Sequence, residues 1–179
     1  MTRLKRWIGR FGRRECGTAT VEFVLIFPFV MAILLTSIDF SAFMLRQVFL
    51  DRAVDMAVRQ VMLGNVPSSG ANQFKTLICN GTILISNCQS SITVEMRPID
   101  TDTWAGIYDP VQCIDRAANI TPTLTFNPSN GNQDLMLVRV CAAVDPFIDL
   151  TGLVFGMNQT DNGDYLIVSV SAFTNEPAS

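Results

Sequence analysis

The sequence predicts an α+β chain: one long N-terminal helix, apolar enough in its first half to sit in lipid, followed by a small antiparallel β-sheet domain. Three observations point there. Phe23 to Ile38 is a run of sixteen uncharged residues, and after Asp39 another six run from Phe40 to Leu45. From Phe40 to Leu63 there is no glycine or proline, and apolar residues return at helical period. Beyond Gly64 the texture changes: seven of the eight prolines lie there, among short runs with strand-like alternation. With 179 residues the chain is long enough for one modest core.

The first element is a single helix from about residue 19 to 63. At roughly 1.5 Å per residue it is about 65 Å long, some twice the hydrocarbon thickness of a bilayer. A cleavable secretory signal would be shorter and would end in small residues, whereas this segment runs straight into Asp39. The membrane-spanning part is placed at about 23–45. In the second half, Phe49, Leu50, Ala53, Val54, Ala57 and Val61 share one face at 100° per residue, opposite Gln47, Asp51, Arg52, Asp55 and Arg59. That half is expected to pack on the sheet through Phe49, Ala53 and Val61, with Ala53 and Ala57 admitting a strand. Gly64-Asn65, with Pro67 close behind, supplies the stop. Pro28 removes one backbone bond and is tolerated in a membrane helix. Asp39 is expected to face partner helices or the membrane interface.

In the remainder, Ser68-Ser69 is a candidate cap for a short helix carrying Phe74, Leu77 and Ile78. Strands are expected at Ile92–Met96, Thr123–Phe126, Leu135–Val144 and Tyr165–Phe173, with a hairpin turn at Pro128-Ser129-Asn130-Gly131-Asn132. In the last strand Leu166, Val168, Val170 and Ala172 alternate with Ile167, Ser169, Ser171 and Phe173. The domain organisation that results is a leader (1–17), a helix (18–63) and a β-rich domain (64–179).

Charge is divided sharply along the chain. The first 14 residues hold six cations and no acid, whereas from Gly64 onward four cations face eleven acids, a balance of -7. A basic stretch directly before an apolar segment holds that end in the cytoplasm, and the acidic domain would repel phosphate, so no nucleic-acid partner is expected. Of the five cysteines, Cys16 lies in the leader. Cys79, Cys88, Cys113 and Cys141 lie beyond the membrane segment, where an even set reads as two disulfides with three possible pairings. The preferred pairing is Cys79–Cys88, closing a short loop beside the small helix, with Cys113–Cys141 tying a loop to the strand Leu135–Val144. Zinc is the weaker reading, because there is no Cys-x-x-Cys spacing and no histidine.

The stretch Arg13-Arg14-Glu15-Cys16-Gly17-Thr18-Ala19-Thr20-Val21-Glu22-Phe23 places a glycine, four small or apolar residues and Glu-Phe between a basic leader and a membrane helix. It resembles the processing site of type IV prepilins in their tight-adherence (Flp) form. It is similar in particular to the TadE-like minor pilin (pseudopilin) family. Pro28, Asp39-Phe40, Arg52-Ala53 with Arg59, and the terminal Ser171-Ala172-Phe173-Thr174-Asn175-Glu176-Pro177 continue the likeness. The resemblance implies a type IV pilin-like fold and a prepilin peptidase that cuts between Gly17 and Thr18. Glycine suits that cut because a residue without Cβ lets an enzyme approach an extended peptide closely. It also implies that Glu22, beside Phe23, pairs with the new amine of a neighbouring subunit, which suits a carboxylate at the edge of lipid.

The partners so implied are the peptidase, sister minor and major pilins, the pilus assembly machinery and membrane lipid. The location implied is the bacterial inner membrane, N-terminus cytoplasmic and domain periplasmic, with the extracellular pilus as a further site. No enzymatic role and no cofactor is expected, since without histidine no convincing base or nucleophile constellation can be built. Two other readings stay open: an adhesin at a pilus tip, and an uncleaved membrane-anchored binding domain. Asn158-x-Thr160-x-Asn162-Gly163 opens like a calcium loop, but its twelfth position is Ser169, so a turn is expected. Asp100, Asp102 and Asp109, near Trp104 and Tyr108, read as a solvated loop.

Overall fold

The computed structural model describes residues 18–66, 70–105, 107–114, 135–146, 160 and 163–174. The elements run α1 (Thr18–Met62), α2 (Ala71–Gly81), α3 (Cys88–Ser91), β1 (Ile92–Ile99), β2 (Leu135–Val144) and β3 (Tyr165–Thr174). The chain divides into two compact units, Met1–Ile38 and Asp39–Ser179, so the second half of α1 belongs to the same unit as the sheet. The α+β layout expected from the sequence is present: a long apolar N-terminal helix followed by a three-stranded antiparallel sheet. The expected strand Thr123–Phe126, the turn 128–132 and the candidate cap Ser68-Ser69 lie outside the described residues.

In the first unit, α1 runs through Pro28 without ending. Phe23, Val24, Leu25, Phe29 and Ile33 are each more than half exposed. That many large apolar side chains bare along one helix mark a surface for lipid or a partner to cover, and the helix is long and apolar enough to cross a membrane. Thr36 and Ser37 return their hydroxyls to carbonyls of the preceding turn, at Ala32 and Ile33, and so carry no unsatisfied polar group into this segment.

In the second unit the sheet order is β1-β2-β3. One row of partners sets Ile92, Ala142 and Ile167 side by side, and the next inward row sets Val94, Val140 and Ser169. With Met96, Met136, Val138, Val144, Tyr165 and Phe173 they form the inner face, and α1 lies against it. The helix contributes Leu50, Ala53, Val54, Ala57, Val58 and Val61, all buried. Phe49 corrects the sequence reading: it is only half-buried and stands outside the core. Neighbouring residues on a helix differ by 100°, so with Leu50 and Val54 at the centre of the stripe Phe49 falls at its margin. Asp39 is a second correction. It is 2 % exposed, buried by its own domain rather than left for partner helices.

Polar and ring contacts hold the helix to the end of the sheet where β2 finishes and β3 begins. Arg46 donates to the carbonyl of Asp145, and Gln47 donates to the carbonyl of Val168 in β3 at 3.0 Å. The Phe43 ring meets Tyr165 edge-on, with centroids 6.2 Å apart. The helix ends in a Schellman turn: Asn65 N–H reaches the Gln60 carbonyl and Gly64 N–H the Val61 carbonyl, with Gly64 at φ +73°. A left-handed residue is required there, so glycine is the residue that fits.

α2 is the short helix expected around Phe74 and Ile78, both fully buried, and Gly70 stands at its N-cap without a side-chain bond. Its last residue explains the small side chains of α1. A Cβ on Gly81 would lie 2.8 Å from the Cβ of Ala53, so Ala53 admits the end of α2 rather than a strand.

β2 is buried along nearly its whole length on both faces, although it contains Arg139. The outer face of β1 and β2 is covered by the segment that follows β1. Arg139, 4 % exposed, bonds Glu95 at 2.9 Å and the carbonyl of Asp109. Arg97 joins Asp109 at 2.9 Å and Glu95 at 3.4 Å, Thr93 donates to the carbonyl of Gln112, and Cys113 is bonded to Cys141.

Two stability experiments on the detergent-solubilised full chain follow from this packing. Val54→Asp buries a charge against the sheet and is expected to lower stability by about 3 kcal/mol or more, against less than about 1 kcal/mol for Arg59→Glu on the exposed face. Gly81→Val drives a side chain into Ala53, for an expected loss of about 1–3 kcal/mol. Thermal unfolding followed by circular dichroism measures both. A larger effect from Arg59→Glu than from Val54→Asp would mean the helix faces are assigned the wrong way round.

Candidate functional site: the processing segment and the disulfide-stapled domain

The residues singled out as functional fall in two places. Thr18 is the first residue of α1, and Gly17, on the other side of the expected cut, lies outside the described residues. Glu22 sits in the second turn and is exposed, as is Phe23, whose ring lies 5.2 Å from that of Phe27 one turn on. An exposed carboxylate at the head of an apolar helix is an expensive arrangement in lipid unless a cation meets it. The four residues between Gly17 and Glu22 (Thr18, Ala19, Thr20, Val21) bring no charge into that turn.

In the domain, Cys79 is bonded to Cys88 and Cys113 to Cys141, with Cα separations of 5.6 and 5.3 Å. The first joins α2 to α3 across the Thr82–Asn87 loop, where the Thr82 hydroxyl lies 3.5 Å from Cys88 Sγ. The loop presents Ile83 to solvent and buries Ile85. The second fixes the covering segment to the middle of β2. These bonds close loops of different size, and cross-links of this kind stabilise chiefly by restricting the unfolded chain.

The acidic loop after β1 does not form a carboxylate pair. Asp100 turns back on its own backbone: its Oδ1 accepts the Asp102 N–H at 2.8 Å. That bond, then the Thr103 side chain, holds the Asp100 carboxyl below the usual carboxylate range. Asp109 is engaged by Arg97. Around the candidate calcium loop, Gly163 N–H bonds the Thr160 carbonyl and Thr160 N–H the Asp164 carbonyl, which makes a turn.

Sequence reasoning passed over Arg139. It lies inside an otherwise apolar strand run, and a lone cation in such a run is the signal that could have flagged a buried ion pair.

A long apolar helix, long enough to cross a membrane, leading into a small disulfide-bonded antiparallel sheet is an α+β chain of pilin-like layout. Residues 17–59 match the family model described as TadE-like protein. The match opens at Gly17 and covers the stretch through Glu22-Phe23, the apolar segment and most of the helix stripe. The likeness to that family lies in this segment, about a quarter of the chain. No curated protein and no solved structure is matched.

The buried ion pair supplies the prediction here. Glu95→Ala strands Arg139 in the outer layer without its carboxylate and is expected to cost about 2–4 kcal/mol, whereas a Glu95→Leu/Arg139→Met double replacement is expected to cost less than Glu95→Ala alone. Equal losses in the two proteins, by thermal unfolding, would show that the pair is not the group at stake.

Proposed function

We propose that this chain is a minor pilin, or pseudopilin, that takes part in priming or tipping a tight-adherence type IV pilus. A prepilin peptidase cuts it between Gly17 and Thr18. Glu22 then meets the new amine of a neighbouring subunit, and the domain beyond Gly64 stands on the periplasmic side. The basic leader supports that orientation, since cations flanking an apolar segment stay in the cytoplasm. Two disulfides suit an oxidising compartment. The protein works by subunit contact, with sister pilins and the assembly machinery as its partners.

The observation that carries this reading is the extent of the family match, which opens at the glycine of the processing motif and runs on through the helix. A second reading, adhesion at the pilus tip, is favoured by the exposure of Trp104 (51 %) and Tyr108 (93 %) on the segment that Arg97, Arg139 and Cys113 tie down. Loss of surface attachment in Trp104→Ala/Tyr108→Ala cells that still build pili would establish it.

The decisive measurement for the first reading is the mature N-terminus. Mass spectrometry of the membrane-extracted protein is expected to find Thr18 as its first residue, and Gly17→Leu to retain the full-length form. Normal processing of Gly17→Leu, or an intact leader on the wild-type protein, would overturn it.

A further inference from the structure

We infer that the outward face of α1 stays in lipid well past Asp39, so that Met44, Leu45 and Val48 seat the folded domain on the membrane surface. The inference rests on the membrane-anchor reading and adds to it the depth at which the domain rides.

By charge alone the apolar segment ends at Asp39 and, after a short extension, at Arg46. The structure removes both charges from the outward face. Asp39 is buried at 2 % exposure, and Arg46 is half-buried and reaches back to the carbonyl of Asp145. Gln47 is likewise turned onto β3. Left outward are Met44 (43 %), Leu45 (53 %) and Val48 (62 %), with Arg52 the first exposed charge beyond them.

Helix geometry puts Met44, Leu45 and Val48 within one and a half turns on the side opposite Leu50 and Val54. They belong to the helix whose preceding residues, from Phe23 to Ile38, form the charge-free apolar run. The apolar surface therefore continues without an outward charge from Phe23 to Val48. At about 1.5 Å per residue, the thirty-residue rise from Glu22 to Arg52 is about 45 Å, which matches a bilayer with both headgroup layers, about 40–45 Å. Glu22 and Arg52 then mark the two interfaces, and Arg52 has the long stem that lets a cation rest among headgroups while its methylenes stay apolar. From Arg52 onward charges enter the exposed side, where Asp55 and Arg59 stand beside the exposed Met56. The charge-free stretch stops where the bilayer would.

The test uses the full chain in liposomes of phosphatidylethanolamine and phosphatidylglycerol. Cys16→Ser removes the leader thiol, and single cysteines at Ile33, Leu45, Val48 or Met62 take a thiol-reactive fluorophore with both disulfides left oxidised. Quenching by lipids spin-labelled near the headgroup and, separately, near the end of the acyl chain is compared with quenching by aqueous iodide. Labels at Leu45 and Val48 are expected to be quenched by the headgroup-labelled lipid and to be several-fold less accessible to iodide than the label at Met62. If Ile33 is quenched by lipid while Val48 is as open to iodide as Met62, the seat proposed here is wrong and the anchor stands. If Val48 is shielded from both lipids and from iodide, a protein neighbour covers the strip, which also overturns the proposal. If Ile33 is not quenched by lipid, the anchor reading itself fails, and this inference with it.

Discussion

The stripe formed by Leu50, Ala53, Val54, Ala57, Val58 and Val61 is the only apolar helix surface in the described second unit broad enough to cover the inner face of the sheet. Without it, Val94, Val138, Val140 and Ile167 would face water, and three strands do not make an independently stable sheet without something packed on them. The remaining contacts of α1 follow from that one. The helix must end where the stripe ends, and a left-handed glycine ends it. Its flank must give the carbonyl of Val168 a donor, and Gln47 does. α2 must come close enough to close the core with Phe74 and Ile78, and the missing side chain of Gly81 over Ala53 permits it.

The opposite side of the sheet is solved by different chemistry. Arg139 lies among apolar neighbours and is tolerated because Glu95 and the Asp109 carbonyl meet it. The segment that supplies Asp109 is itself held by Arg97, Thr93 and Cys113. One face of the sheet is therefore closed by hydrophobic burial. The other, over β1 and β2, is closed by ions, hydrogen bonds and a covalent bond. β3 lies beyond that cover, with Val168 and Val170 exposed.

How much of this was legible in the sequence depended on whether a feature was periodic. The bounds of α1 and the strands Leu135–Val144 and Tyr165–Thr174 could be read closely, because charge-free runs, helical repeats and alternation are local signals. Phe49 was misplaced because a stripe read by eye has soft margins, and its size argued for burial more strongly than its angle did. The orientation of β3 was also hidden. Its more apolar set, including Val168 and Val170, faces out, while Ile167 and Ser169 face in, because the inward side is set by pairing with β2. The Glu95–Arg139 pair joins groups far apart in the chain. No spacing rule reaches them.

The placement of the two disulfides has a mechanical consequence. Both cross-links lie within the part of the chain after α1, and no cysteine occurs anywhere in Thr18–Met62. A pull on the N-terminal end therefore meets no covalent tie between that helix and the sheet. It is borne by side-chain interlocking along the stripe and by three hydrogen-bonded clamps, at Arg46, Gln47 and Asp55, the last accepting from Ser171, loaded in shear. The stapled part is built to keep its shape under tension, and the seam beside it is where the molecule would yield first and re-engage when the load is released.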